Sequence, residues 1–167
     1  DKYYGYRRDD GTMSNSISGI VGKNAPLHSR EFRDRLVIAY EMLDRFAYAW
    51  SHHFSNTYVS MLENVNMVYW PGLPWGLQAE PDIVMTSEEW IYAADEKHNP
   101  ERMPVWTGLY FDPTAEQWMV SLKTPIVHNG KTLIDVGHDI LLNEIFDRDF
   151  NDHLSGAHNF IFRKDGR

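Results

Sequence analysis

Apolar positions recur at helical spacing over residues 29–54. Phe32, Leu36, Leu43, Phe46 and Trp50 share one face, widened by Val37, Tyr40 and Ala47, and Arg33, Asp34, Glu41, Asp44 and Arg45 take the other. The spacing predicts one long helix without Gly or Pro, capped by Ser29 and with Glu31 in its first turn. The pattern then changes. Tyr58, Val59, Val65, Val68, Tyr69 and Trp70 are strand formers flanking Glu63-Asn64, which predicts a hairpin ended by Pro71-Gly72. Residues 73–81 read as an irregular loop. Residues 87–96 read as a short helix capped by Ser87 and broken by Asn99-Pro100. A strand over 105–111 turns at Asp112-Pro113. Residues 117–127 alternate, with Trp118, Val120 and Leu122 on one face. Asn129-Gly130 is the strongest hairpin signal in the chain, and the returning strand, 131–140, puts Ile134, Val136 and Ile140 on one face. A closing helix over 141–150 follows, with Asp139 as its expected cap.

The ends carry less pattern. Residues 1–25 are polar and rich in turn residues, with Asp9-Asp10-Gly11 a turn signal, and 14–24 are expected as a loop or arm. Beyond Asp152 the pattern restarts with a strand over 159–163 and a turn at Lys164-Asp165-Gly166. The sum is an α+β chain with an antiparallel sheet. It divides into an N-terminal arm (1–28), one folded module (29–150), and a linker with the first strand of a second, truncated module (151–167).

Composition narrows the function classes. The 167 residues are 43% hydrophobic and 14% aromatic, which excludes disorder. With 16 basic and 24 acidic residues the net charge is −8, which argues against a nucleic-acid partner. The charge is uneven: residues 1–35 carry +2 and 36–167 carry −10, and from Phe46 to Glu96 there are seven acids and no Lys or Arg. Such a stretch suits a solvated acidic face or a cationic partner. Zero Cys excludes disulfide frameworks and thiol chemistry. No apolar run approaches the roughly 18 residues that span a bilayer. The chain begins without Met, as an excised piece of a longer protein would.

No nucleotide-binding, nucleophile-elbow or zincin motif is present, and no cofactor is expected. His52-His53 are adjacent on a helix and point about 100° apart, so they do not chelate one metal together. His138-Asp139 are successive strand residues facing opposite ways, which argues against a catalytic dyad. A set of aromatic and acidic residues is the stronger candidate: Trp90 and Tyr92 on the short helix, Trp106 and Tyr110 on the third strand, Asp112 at its end and Asp139 at the end of the last strand. Aromatic walls with a few convergent carboxylates make a small-molecule pocket suited to an amine or other cation. The alternative is that these rings are ordinary core and the Asp residues serve turns and caps.

The order of segments over residues 29–148 resembles the extracytoplasmic PAS-like sensor domains called Cache domains, of the double-Cache type. A long helix is followed by MVYWPG, SEEWIYAADE, VWTGLYFDPTAEQWMVSLKTPI and NGKTLIDVGHDILLNEIF. Within these lie Trp90 with Ala94 four residues on, the Tyr-x-Asp of Tyr110 and Asp112, the strand pieces Val120-Ser121 and Thr124-Pro125, and Gly137-His138-Asp139-Ile140 before a helix.

The resemblance implies a five-stranded antiparallel PAS-like sheet between a long N-terminal helix and a closing C-terminal helix. It implies ligand contacts from Trp90, Tyr110, Asp112 and Asp139. It also implies a non-enzymatic sensor, the periplasmic or extracellular portion of a bacterial inner-membrane receptor such as a histidine kinase, chemoreceptor or diguanylate cyclase. The histidine kinase is the first expectation. A homodimer through the long helix and a small-molecule ligand are the implied partners. Amino-acid-binding members carry Arg-x-Arg-Pro-Trp-Tyr where this chain has Thr86-Ser87-Glu88-Glu89-Trp90-Ile91. Without those arginines no bidentate carboxylate clamp is present there, which favours an amine-bearing or cationic ligand. A PAS-like structural or dimerisation module with no small-molecule ligand is the alternative.

Overall fold

The computed structural model describes residues 2–3, 17–149, 156, 160 and 162. Most of the expected strand over 159–163, with its turn, lies outside the described residues.

Ser29 caps α1 (Arg30–Trp50) by accepting from the Phe32 amide at 3.3 Å. The helix buries Phe32, Ala39, Leu43 and Ala47, with Leu36 and Tyr40 partly covered. The buried stripe is therefore rotated from the one the spacing suggests, and Val37, Phe46 and Trp50 are exposed. The small residues Ala39 and Ala47 let the helix lie close against the sheet, and the larger rings fall to its flanks.

The sheet is antiparallel throughout, and among the described residues it has eight strands rather than five. They are β1 (Lys2–Tyr3), β2 (Ile17–Val21), β3 (Asn56–Met61), β4 (Val65–Tyr69), β5 (Val105–Trp106), β6 (Tyr110–Asp112), β7 (Gln117–His128) and β8 (Lys131–Leu141). Their order is β1-β2-β4-β3-β8-β7-β5, with β6 also paired to β7. The hairpin turn between β7 and β8 falls at Asn129-Gly130, where both residues have positive φ (49° and 80°), as a type I′ turn requires. The expected strand over 105–111 is split into β5 and β6 by Thr107-Gly108-Leu109.

Residues 17–21, expected as loop or arm, form β2 in register with β4, from Ile17 opposite Tyr69 to Val21 opposite Val65. The strand is buried on both faces. Ile17 and Val21 join the layer under α1, and Ile20 joins the opposite layer. Its Ser and Gly hide the strand pattern in the sequence. In the fold they serve contact: the Ser18 hydroxyl accepts from the Gly76 amide at 2.9 Å.

Two cores flank the sheet. One joins α1 to Val59, Met61, Val65 and Met67 of the β3–β4 hairpin. The other lies under a cap running from residue 71 to 104, which holds α2 (Trp75–Gln78), a 3-10 turn (Met85–Ser87) and α3 (Glu89–Tyr92). The short helix covers only Glu89–Tyr92 of the expected 87–96, with Glu88 rather than Ser87 at its N-cap position. Glu96 accepts from the Thr132 amide and Arg102 donates to the Gly130 carbonyl at 2.7 Å, so the cap is tied to the tip of the β7–β8 hairpin. α4 (Leu142–Asp149) closes the module, and Glu144 accepts from Ser55 at 2.8 Å. Asp139 lies within β8 and does not cap α4.

The phase of β7 is the reverse of the one its apolar face suggests. Met119, Ser121, Lys123 and Pro125 point into the capped side, and Trp118 is exposed. Lys123 and Asp135 form an ion pair at 0% and 1% exposure. The Ser60 hydroxyl donates to Asp135 at 2.9 Å and accepts from Lys123 Nζ at 2.9 Å. Lys123 Nζ also lies 4.1 Å from the centre of the Tyr58 ring. Burial pushes the Lys123 ammonium down and the Asp135 carboxyl up.

Candidate functional site

The strand period of two decides which side chains meet under the cap. Asn56 and Tyr58 on β3, Asn66 and Val68 on β4, and Asp139 on β8 all face the capped side. Trp70 follows β4, Trp75 comes from α2, Trp90 from α3, and Tyr110 and Asp112 from β6. These ten residues line one cavity of about 10 Å³, room for about one water molecule.

Four of the six residues singled out in the sequence meet there: Trp90, Tyr110, Asp112 and Asp139. The other two do not. Trp106 is 47% exposed on β5, in the outward phase opposite Leu122. Tyr92 packs at a tilt against His98, ring centres 4.6 Å apart, and does not line the cavity. Sequence reasoning passed over Asn56, Tyr58, Asn66, Val68, Trp70 and Trp75. The available signal was alternation: two Asn at inward positions of otherwise apolar strands, and two Trp bracketing a Pro-Gly turn.

The two carboxylates are held differently. Asp112 Oδ1 accepts from the Thr114 and Ala115 amides at 2.8 and 2.9 Å, closing the turn after β6. Its Oδ2 accepts from Trp75 Nε1 at 2.9 Å. Asp139 accepts from Asn56 Nδ2 at 2.7 Å and from Ser121 Oγ at 2.6 Å, and Ser121 Oγ lies 2.8 Å from the Tyr110 hydroxyl. Burial pushes Asp139 up to about 6, against the pull of its hydrogen bonds from Ser121 and Asn56. Burial and the Asp139 charge also raise the Tyr58 and Tyr110 hydroxyls well above the ordinary phenol range. Behind Asp139, His138 faces the α1 side, where burial and then the Lys123 charge lower it to about 4. Its ring stacks on Phe54 at 4.4 Å, and Nδ1 lies 3.0 Å from Thr57 Oγ1.

The cavity is rich in acceptors among aromatic faces, with the Tyr58 hydroxyl a buried donor that lacks a partner. Its lining has two carboxylates, five aromatic rings and no Lys, Arg or His. Asn56 Oδ1 and Asn66 Oδ1 are buried there without a hydrogen-bond partner. Arg102 is engaged at the hairpin tip and takes no part. Among the described residues no cluster of His, Asp or Glu could hold a metal ion, and no helix is long and apolar enough to cross a membrane.

No protein-family model and no curated protein matches the chain. Solved structures do. The ligand-binding domain of the Campylobacter jejuni chemoreceptor Tlp3 in complex with 4-methylisoleucine matches with a TM-score of 0.50 at 16% identity, over 74% of this chain and 47% of that one. The same domain in complex with L-valine matches with a TM-score of 0.50 at 16% identity, over 72% and 46%. This chain thus spans about half the length of the solved structures it matches. Over that half, the long helix and antiparallel sheet of this chain have the PAS-like fold of the matched chemoreceptor domains.

Proposed function

We propose that the chain is the ligand-sensing portion, periplasmic or extracellular, of a membrane-anchored bacterial signalling receptor, a sensor histidine kinase by first preference. It performs no catalysis itself. Its cavity takes a small molecule bearing a protonated amine or another cation. The observation that carries this is the lining: Asp112, Asp139 and the free amide oxygens of Asn56 and Asn66 all accept hydrogen bonds, and no basic group is present to hold an acid. The matched Tlp3 domain binds amino acids. Here the lining offers an ammonium two carboxylates and two free amide oxygens, whereas a carboxylate would meet only neutral donors such as the partnerless Tyr58 hydroxyl.

At about 10 Å³ the cavity is small, far below the roughly 300 Å³ of a typical ligand pocket. Binding therefore requires side chains of the cap over 71–104 to give way, and the ligand selects that opened state. Asn56 and Tyr58 alternate along β3 with Thr57 and Val59, and Val59 packs in the layer under α1. A shift of the strand reaches the helix through one sheet thickness. The exposed Ile38, Met42 and Phe46, spaced i, i+4, i+8 on α1 and flanked by Glu41 and Arg45, offer a second copy an apolar stripe edged by opposite charges. Residues 29–150 with β2 make the sensing module, and 151–167 begin a second one.

The small cavity favours a second function, a structural or dimerisation module whose own tryptophans fill the space. Thermal shift separates the two. Propylammonium chloride should raise the melting temperature and sodium propionate should not, and Asp112→Asn, which keeps the turn-closing acceptor, should abolish the response. Wild-type protein unmoved by any amine, with Asp112→Asn equally inert, would establish the second function.

A further inference from the structure

We propose that Trp75 is the specificity residue of the cavity: its indole N–H holds the carboxylate oxygen that a ligand must take, so a ligand binds by displacing it. This rests on the cationic ligand proposed above. Of the two oxygens of Asp112, Oδ1 is committed to the Thr114 and Ala115 amides. Oδ2 is held by Trp75 Nε1 at 2.9 Å, and both residues line the cavity. The indole also fills the space. It stands edge-on to Trp90 (6.0 Å, 84°), which stands edge-on to Tyr58 (6.2 Å, 82°). These rings reduce the cavity to its present volume.

The backbone beneath Trp75 is fixed. The Gly76 amide is bonded to Ser18, and a Cβ on Gly76 would come within 2.2 Å of the Gly19 nitrogen, so α2 lies in direct contact with β2. The buried indole is the part whose movement would uncover Asp112 Oδ2.

Displacement selects by chemistry. An ammonium exchanges a neutral N–H for a charge-assisted bond to the same oxygen, roughly twice as strong. An alcohol gains nothing over the indole, and a carboxylate has no donor to offer. The ring vacates room as it moves, so the exchange that frees Oδ2 also opens the space the ligand occupies.

Trp75→Phe keeps an aromatic ring and removes the N–H. Isothermal titration of wild type and Trp75→Phe with propylammonium chloride and with propanol tests the proposal. Losing one competing bond to a charged acceptor should tighten propylammonium binding about tenfold and give propanol a measurable affinity that wild type lacks. Wild-type binding of propylammonium with equal or weaker binding by Trp75→Phe overturns displacement and leaves the cationic site standing. Silence in both proteins overturns the cationic ligand and displacement with it. Should Trp75→Phe fail to fold, the wild-type Trp75 indole N–H resonance decides. On saturation with propylammonium it should shift and lose protection from hydrogen exchange, and an unchanged resonance overturns the proposal.

Discussion

Lys123→Met removes one partner of an ion pair shut off from water on every side. Lys123 is 0% exposed and Asp135 1%. Asp135 Oδ2 already lacks a partner, so the carboxylate leans on Oδ1, where Lys123 and Ser60 meet it. Removing one member of a buried pair leaves an uncompensated charge and costs about 3–5 kcal/mol. At about 2–4 °C per kcal/mol for a chain of this size, the melting temperature should fall by roughly 10 °C. Asp135 can escape the penalty by taking up a proton, a change its burial already favours, so the loss should shrink toward acid pH. The double variant Lys123→Met/Asp135→Leu removes both charges and should recover at least half of the loss. Recovery is incomplete because the buried Ser60 hydroxyl then loses both partners. Chemical denaturation at pH 7 and pH 5 reads all three proteins. A Lys123→Met loss under about 1 kcal/mol, or a double variant less stable than the single one, would refute the desolvated-pair account.

Two further outcomes follow from neighbouring groups. Asp139, raised to about 6 from 3.8, contributes stability that is full below about 4 and lost as pH rises through 6; His138, lowered to about 4 from 6.5, contributes stability that is full above 6.5 and lost as pH falls toward 4. The two oppose each other over the same interval, so Asp139→Asn should destabilise on acidification and His138→Gln should stabilise, and parallel pH slopes would contradict the assignment. A Cβ at Gly137 would lie 2.1 Å from Tyr58 Cζ, so Gly137→Ala should cost about 3 kcal/mol; adding Tyr58→Leu should relieve it, as equilibrium unfolding would show.

Local chemistry was legible where one or two residues suffice. Ser29 caps α1, Asn129-Gly130 makes the tight turn, and Glu63-Asn64 joins β3 to β4. Elements carried by long-range contact were not legible. β2 has too little apolar alternation to announce a strand, and it forms because β4 offers an edge and α2 a cover. The stripe on α1 was rotated because Ala39 and Ala47, weak signals in a sequence, are what permits close approach to the sheet. Of the candidate site, Trp90, Tyr110, Asp112 and Asp139 were legible as part of an aromatic and acidic set, and the resemblance in segment order implied the same four. Trp75, which bonds Asp112, comes from a loop 37 residues upstream that no local pattern ties to it.

The sequence by itself determined the periods: 3.6 over the long helix, two along the strands, and the turns between them. It also determined the acidic, cysteine-free character and the lack of arginines ahead of Trp90. Tertiary structure decided the phase. Along β7 the apolar residues Trp118, Val120 and Leu122 face outward, and Ser121 and Lys123 face inward, because β3 and β8 supply Ser60, Asp135 and Asp139 as their partners. A strand's alternation shows that its two faces differ. Which face is buried depends on what the neighbouring strands offer it, and here the polar face has the better partners.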